Sequence, residues 1–527
     1  MVLNAIIVLP GLTKRSIWLD ESTTIFFSHQ TWSKIISETR NDVHPPLYYF
    51  FMSIWITLFG DSEVSVRIIS WFFGELILIV LYWWLKKRFS ERKTLLIILL
   101  LAINPFYVQY QQEARMYTLL PLMLLIVYVQ LDLYIKANIT YKSIILLIIS
   151  NTVALYIHNY ALISLFVIYL VFFANRFYFG SLKNLSGEDW KKLLLMFFGI
   201  FLLYIPWLLS LFQQIGGNGV GGAIPEVTLR NGYVFIMRMI FLTGEIRYAF
   251  IPIIYFSLLT IIGCILIVLN GKMSHDDNFI VELILIAGLN FAIPYSISFT
   301  KFPLGYSIFN YRFILFSVVL FKIVMVNLFE KIYHLISNVE TKIYQNPHHL
   351  PLKLGFLQKL SISKIFAGIT VVLLIVPTFQ ALTASTFYQS NGDYRKAVHF
   401  VESESNQVIP VLIESGITIH AFAYYFNYTW DNALVAINYN KNRVITHLNE
   451  TKSNLIDYRQ FDFNSNTLPA ILTILNQSKT VWYFISHSRD SSNIILNYMI
   501  NNNLVDKSIG ILHFDEITLF RATILTN

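Results

Sequence analysis

Long apolar runs are the feature that most constrains this chain. Along the first 384 residues, stretches of about 17–25 predominantly apolar residues recur, the length at which a helix crosses the hydrocarbon of a bilayer. Charge is correspondingly scarce: 13% of the 527 residues are charged and 55% are hydrophobic, against about 25% charged in soluble globular chains. Beyond about residue 385 the apolar runs shorten and Asn, Ser, Asp and Glu return. That change predicts a membrane domain over 1–384 followed by a separate domain over 385–527.

The formal net charge is +8, but the basic residues form no single patch. They stand in short clusters between apolar runs, such as Lys86-Lys87-Arg88 and Arg176 to Lys192. This pattern reports membrane topology and gives no reason to expect a nucleic-acid partner. Used as cytoplasmic markers, these clusters predict about eleven spans, at roughly 2–18, 64–85, 94–112, 118–135, 143–157, 161–175, 193–211, 249–270, 279–298, 313–329 and 365–383. An odd number places residues 385–527 outside. Cys264 stands alone, so no intramolecular disulfide can form, and no cleavable signal peptide is expected.

The first external loop, 19–62, is unusual. Trp32, Ile35 and Ile36 recur at helical spacing among polar residues, as in a helix lying at the interface. A second apolar segment, Leu47 to Phe59, follows Pro45-Pro46 and reads as a juxtamembrane or re-entrant helix, since a span there would move Lys86-Lys87-Arg88 outside. In the polar domain, Tyr394 to Glu402 and Asn493 to Met499 have helical patterns. Val408 to Ile413, Ala433 to Tyr439 and Val481 to Ser486 read as strands, with Ile517 to Arg521 expected at an edge. A small α/β domain accounts for these elements.

Candidate chemistry collects at the outer ends of the predicted spans. Asp20 and Glu21 open the first external loop, and Asp42 and His44 close it. They are either part of a solvated loop or a cluster able to supply a general base or to bind a divalent metal through Asp20, Asp42 and His44. Glu113, Arg115 and Tyr117 follow the third span. Arg115 either snorkels to ordinary lipid headgroups or binds a specific phosphate, which a guanidinium matches in bidentate fashion. Arg312 also falls on the outer side, where the topology rule disfavours it, and His158 caps the fifth span. Gly217, Gly219 and Gly222 match a dinucleotide-binding spacing but follow an apolar span in place of a strand. With no Walker-type loop either, no nucleotide cofactor is expected.

Four groups of residues carry a resemblance: Trp18-Leu19-Asp20-Glu21, His44-Pro45-Pro46-Leu47-Tyr48-Tyr49, Phe59-Gly60 followed by Val66-Arg67, and Glu113-Ala114-Arg115-Met116-Tyr117. Their order, over about residues 15–330, resembles the protein O-mannosyltransferase and aminoarabinose-transferase superfamily, glycosyltransferase family 39 and its bacterial relatives. The resemblance implies a polytopic α-helical membrane protein of GT-C fold with a C-terminal extracytoplasmic α/β domain. It further implies inverting transfer of a sugar from a polyprenyl-phosphate donor to an extracytoplasmic acceptor at the cell membrane. Asp20 then matches the family's candidate base and Glu21 completes the pair. Arg115 and Arg312 become candidate donor-phosphate ligands, with Asp42, His44, Glu113, Tyr117 and His158 as further substrate contacts. One departure stands out: Val43-His44 replaces the Glu-Lys that precedes Pro-Pro in aminoarabinose transferases. A neutral ligand or donor thus replaces a fixed cation there. Two alternatives share the many spans: a lipid-linked oligosaccharide flippase or other transporter, and an O-antigen ligase or polymerase using diphosphate-linked donors.

Overall fold

The computed structural model describes residues 1–134, 139–178, 185–216, 227–228, 250–269, 274–301, 307–345, 361–383, 393–404, 411–413, 419–425, 434–438, 443–445, 476, 480–486, 499–506, 508–514 and 517–523. Its α-helices are α1 (Val2–Val8), α2 (Leu19–Ser28), α3 (Trp32–Asn41), α4 (Leu47–Phe59), α5 (Glu63–Leu85), α6 (Glu91–Ala102), α7 (Pro105–Gln111), α8 (Leu119–Tyr134) and α9 (Tyr141–Ile157). They continue as α10 (Ala161–Tyr178), α11 (Gly187–Gly216), α12 (Phe250–Leu269), α13 (His275–Thr300), α14 (Leu315–Gln345), α15 (Ile362–Thr383), α16 (Tyr394–Glu404) and α17 (Ile419–Tyr425). Among the described residues, six helices are long and apolar enough to cross a membrane, or seven if the bent pair α6 and α7 is one span; five shorter apolar helices accompany them. The chain is a multi-pass membrane protein.

Several predicted spans are broken, and each break has a local cause. The first, expected over 2–18, ends as α1 and a 3-10 turn at Leu9–Gly11, because Pro10 lacks an N–H and Gly11 favours a stop. Residues 12–18 are then non-helical. The span expected over 94–112 bends by 63° between α6 and α7. There Pro105 occupies the first turn of α7, and the Asn104 side chain accepts the Tyr107 N–H at 3.0 Å as its N-cap.

Two compact units divide the chain: Met1–Leu9, Val43–Tyr48 and Ile68–Phe387 form one, and Pro10–Asp42, Tyr49–Arg67 and Tyr388–Asn527 the other. In the first, α14 is the central helix, with 78% of its apolar window buried, whereas α11 and α15 bury only 28% and 22% of theirs. Their outward side chains, Leu209 and Phe379 among them, are exposed, as lipid-facing residues are in a protein whose solvent on that side is hydrocarbon. Small residues permit close helix contacts: a Cβ at Gly263 would meet the Leu328 side chain at 2.9 Å, and one at Gly199 would meet Ile148 at 2.7 Å. Two buried acids of this unit are paired. Glu282 accepts from Tyr128 at 2.8 Å and Arg176 at 2.6 Å, and Asp132 accepts from Trp84 at 3.0 Å and Arg88 at 3.4 Å. Two of the basic residues used as topology markers therefore also neutralise buried carboxylates, which are too costly to leave alone in lipid.

The second unit holds the mixed sheet, β1 (Val411–Ile413), β2 (Leu434–Asn438), β3 (Arg443–Ile445), β4 (Thr480–Ser486), β5 (Ile511–Phe514) and β6 (Ile517–Thr523), in the order β3-β2-β1-β4-β6-β5. β1 runs parallel to β2 and β4, and the remaining pairs are antiparallel. The strand at Ile517, expected at an edge, lies inside: β6 pairs with β4 over Thr480–Ser486 and with β5 on its other side. Its own alternation looks the same in either place, and only the unforeseen β5 decides between them. The helix expected at Asn493 to Met499 lies outside the described residues except for Met499. Also in this unit, Gly60 adopts φ 76° immediately after α4 and donates its N–H to the Ile56 carbonyl at 2.8 Å. That left-handed stop explains the glycine of Phe59-Gly60.

Candidate active site

Five of the expected residues come together in the first unit, each at a helix break where the backbone leaves its ladder. His44 precedes the proline pair before α4. Arg115 and Tyr117 lie in the non-helical stretch between α7 and α8, His158 in the turn between α9 and α10, and Arg312 in a 3-10 turn at Tyr311–Ile314 that leads into α14. Arg312 donates from Nη1 to the Tyr117 hydroxyl at 3.1 Å. The guanidinium carbons of Arg115 and Arg312 lie 5.7 Å and 5.6 Å from the centroid of the Tyr117 ring. Two cations thus share one aromatic side chain, and Arg115 is only 3% exposed.

The two histidines have different neighbours at their ring nitrogens. Arg115 Nη2 lies 3.4 Å from His44 Nε2, where a guanidinium can only donate. In His158 the Tyr160 N–H donates to Nδ1 at 3.0 Å, which places the ring proton on Nε2. Burial, reinforced by His44 and Arg115, holds the His158 pKa well below the ordinary histidine range. The two rings meet edge to face at 4.9 Å, and Phe313 packs against His158 at 4.4 Å. His158 is 4% exposed, and its Nε2 has no hydrogen-bond partner among the described residues. Leaving such an N–H dry costs about 1–3 kcal/mol, which an acceptor oxygen on a ligand would recover. Glu113 is buried beside this cluster in sequence and accepts from Gln109 at 3.3 Å.

Asp20, Glu21 and Asp42 belong to the second unit. Asp20 and Glu21 occupy the first turn of α2, where the helix dipole favours carboxylates. Their surroundings separate them. Glu21 is fully buried, and both its oxygens accept from Arg67, at 2.8 Å from Nε and 2.6 Å from Nη2. Arg67 also donates to the carbonyls of Leu12, Arg15 and Ser16 at 2.6, 2.8 and 3.0 Å. Glu21, expected to share in the chemistry, therefore holds the turn, while Asp20 is half-buried at its head. Asp42 accepts from the Tyr49 hydroxyl at 3.5 Å.

Of the expected metal set, Asp20 and Asp42 belong to the second unit and His44 to the first; among the described residues no group of three or more His, Cys, Asp and Glu side chains could hold an ion. Reasoning from sequence missed the partner of Glu21, although Arg67 lay within a quoted motif. It also missed Phe313 and Tyr160, whose apolar and backbone roles leave no compositional signal.

A family model described as dolichyl-phosphate-mannose-protein mannosyltransferase matches residues 43–209. Among solved structures, the chain is similar to ArnT from Cupriavidus metallidurans in the apo state, with TM-score 0.54 and 11% identity over 99% of this chain and 96% of that one. The same protein bound to undecaprenyl phosphate gives TM-score 0.54 and 10% identity over the same shares. No curated protein matches the sequence. At such identities the structural likeness is one of fold, the GT-C architecture. Together with the family match, it indicates a membrane glycosyltransferase.

Proposed function

We propose that the protein is an inverting glycosyltransferase that moves a sugar from a polyprenyl-phosphate donor to an extracytoplasmic acceptor, with Asp20 as general base. The observation that carries this reading is the pairing of Arg115 and Arg312 about Tyr117, beside the dry Nε2–H of His158. Two guanidiniums and a neutral donor suit a phosphodiester, whose oxygens accept all three without a proton to lose. The ArnT structure that holds undecaprenyl phosphate has the same fold, which supports a lipid phosphate as the anion.

In the transfer, the acceptor hydroxyl oxygen attacks C1 of the sugar as the C1–O bond to phosphate breaks. The bonding pair leaves on the phosphate oxygen, where the arginines stabilise the charge as it develops. The hydroxyl proton passes to the Asp20 carboxylate. Glu21 cannot share that task while Arg67 holds both its oxygens. The C-terminal domain is assigned to the same extracytoplasmic side as the acceptor, following the odd number of predicted spans.

The test uses purified full-length protein in lipid nanodiscs, polyprenyl-phosphate sugars and candidate acceptor glycans, lipids or peptides. Asp20→Asn is expected to reduce transfer by about 10²–10⁴-fold, with donor binding retained. Transfer at the parental rate would remove Asp20 as the base. Movement of labelled lipid across the bilayer without any sugar transfer would replace the enzyme with a transporter.

A further inference from the structure

The turn before Asp20 has no regular structure, yet its backbone is held group by group. Arg67 takes the carbonyls of Leu12, Arg15 and Ser16 from one side. The remaining anchors come from the far end of the chain. Arg395, at the start of α16, donates from Nη2 to the carbonyls of Thr13 and Arg15, both at 3.1 Å. The Tyr425 hydroxyl, at the end of α17, accepts the Ile17 N–H at 2.5 Å. Glu63 ties these two anchors together, accepting from Arg395 Nε at 3.1 Å and from the Tyr425 hydroxyl. Nearby, His420 stacks on Phe26 of α2 with ring centroids 4.0 Å apart, and Tyr424 donates to the Asp61 carbonyl at 3.1 Å.

We propose that Arg395 and Tyr425 are positioning residues for transfer, fixing the Leu12–Trp18 turn and through it the Asp20 carboxylate. A non-helical segment must find partners for its buried backbone groups outside itself. Here they lie 380 and 408 residues away in sequence. The Tyr425 hydroxyl is fully used, accepting from Ile17 and donating to Glu63. Burial, and then Glu63, keep its pKa raised, so the proton needed for that donation is retained. Burial is the largest influence on Arg395 and opposes its charge, but Glu63 and Tyr425 together outweigh it and the guanidinium stays charged. A polar C-terminal domain of this kind invites a role in acceptor choice. These contacts give two of its helices a role in the chemistry instead.

The inference rests on Asp20 as base, and the experiment separates the two. Arg395→Gln and Tyr425→Phe are made in the full chain, each in the parental and the Asp20→Asn background. Asp506→Asn serves as a control; it breaks a 2.6 Å ion pair with Arg521 in the same unit, remote in sequence from the turn. Transfer is measured as kcat and donor KM. A loss of alignment at the base is expected to lower kcat by about tenfold or more with donor KM changed less than about twofold. Arg395→Lys, which keeps the charge beside Glu63, recovers part of that loss, and the control leaves kcat unchanged. In the Asp20→Asn background neither substitution lowers the residual rate further. Parental kcat in both variants overturns the proposal, as does a full proportional loss in the Asp20→Asn background. Tyr425→Phe preserves the ring, so it carries the test if Arg395→Gln does not fold. Parental transfer by Asp20→Asn alone is a different result, and removes the base assignment itself.

Discussion

Arg67 offers the sharpest test of how the Asp20 turn is built. Its guanidinium has five N–H donors, and all five are used, two on Glu21 and three on backbone carbonyls. The side chain is 1% exposed and its carboxylate partner 0%. Truncating one member of a buried ion pair costs about 3–5 kcal/mol, because the other charge is left without compensation. Stranded carbonyls add about 1 kcal/mol each where water does not replace the donor. Arg67→Ala should thus cost about 6–8 kcal/mol with all three carbonyls stranded, comparable with the whole stability of many domains. Two milder substitutions are more informative. Arg67→Lys keeps the charge but has three donors for five acceptors, a deficit of about 2 kcal/mol. Arg67→Met and Glu21→Gln, made singly and together, form a cycle in which the double variant no longer buries a lone charge. The expected coupling is about 2–3 kcal/mol, with the double variant more stable than the sum of the singles predicts. Equilibrium unfolding in mixed micelles, followed by tryptophan fluorescence, gives these values. A coupling below about 0.5 kcal/mol, the ordinary error of additivity, would refute the clamp.

Other consequences can be checked alongside. Arg115→Gln and Arg312→Gln should each raise donor KM or lower kcat/KM by about 10–100-fold, for the loss of a charge-assisted contact worth about 1.5–3 kcal/mol; unchanged titration by polyprenyl phosphate would count against the site. His158 has a depressed pKa in the folded state. Below about pH 6.5 the unfolded chain gains a proton that the folded one refuses, so stability falls as pH falls through that value, by up to about 1.4 kcal/mol per unit. His158→Phe should remove that slope, and an identical slope in the variant would show that another group is responsible. Gly74→Val should be destabilising by about 1–3 kcal/mol, since a Cβ there meets the Gln111 side chain at 2.6 Å; a thermal melt equal to the parent's would mean that α7 yields easily.

Much of the architecture is legible in the chain because lipid allows few solutions. A long apolar run has to become a helix there, whatever its neighbours do. The helices Glu63–Leu85, Ala161–Tyr178 and His275–Thr300 accordingly fall close to their predicted limits. Helix breaks were less legible. Pro10 and Pro105 are visible as letters, but a proline inside an apolar run can kink a span, end it, or leave it whole, as Pro206 does inside α11. The breaks matter most, because His44, Arg115, His158 and Arg312 all stand at them.

Membrane residence was legible in sequence alone, since charge scarcity and run length are properties of composition and order. The same holds for the motif residues Asp20, Glu21, Arg115 and Arg312 as candidates. Their surroundings were decided by tertiary structure. Asp20 and Glu21 are adjacent carboxylates of like chemistry; a guanidinium 46 residues from Glu21 holds both of its oxygens. His44 and His158 have the same side chain, yet Arg115 stands at Nε2 of one and the Tyr160 N–H at Nδ1 of the other. Arg395 and Tyr425 reach the Asp20 turn across most of the chain. Hydrogen bonds depend on distance in space, which the order of residues does not record.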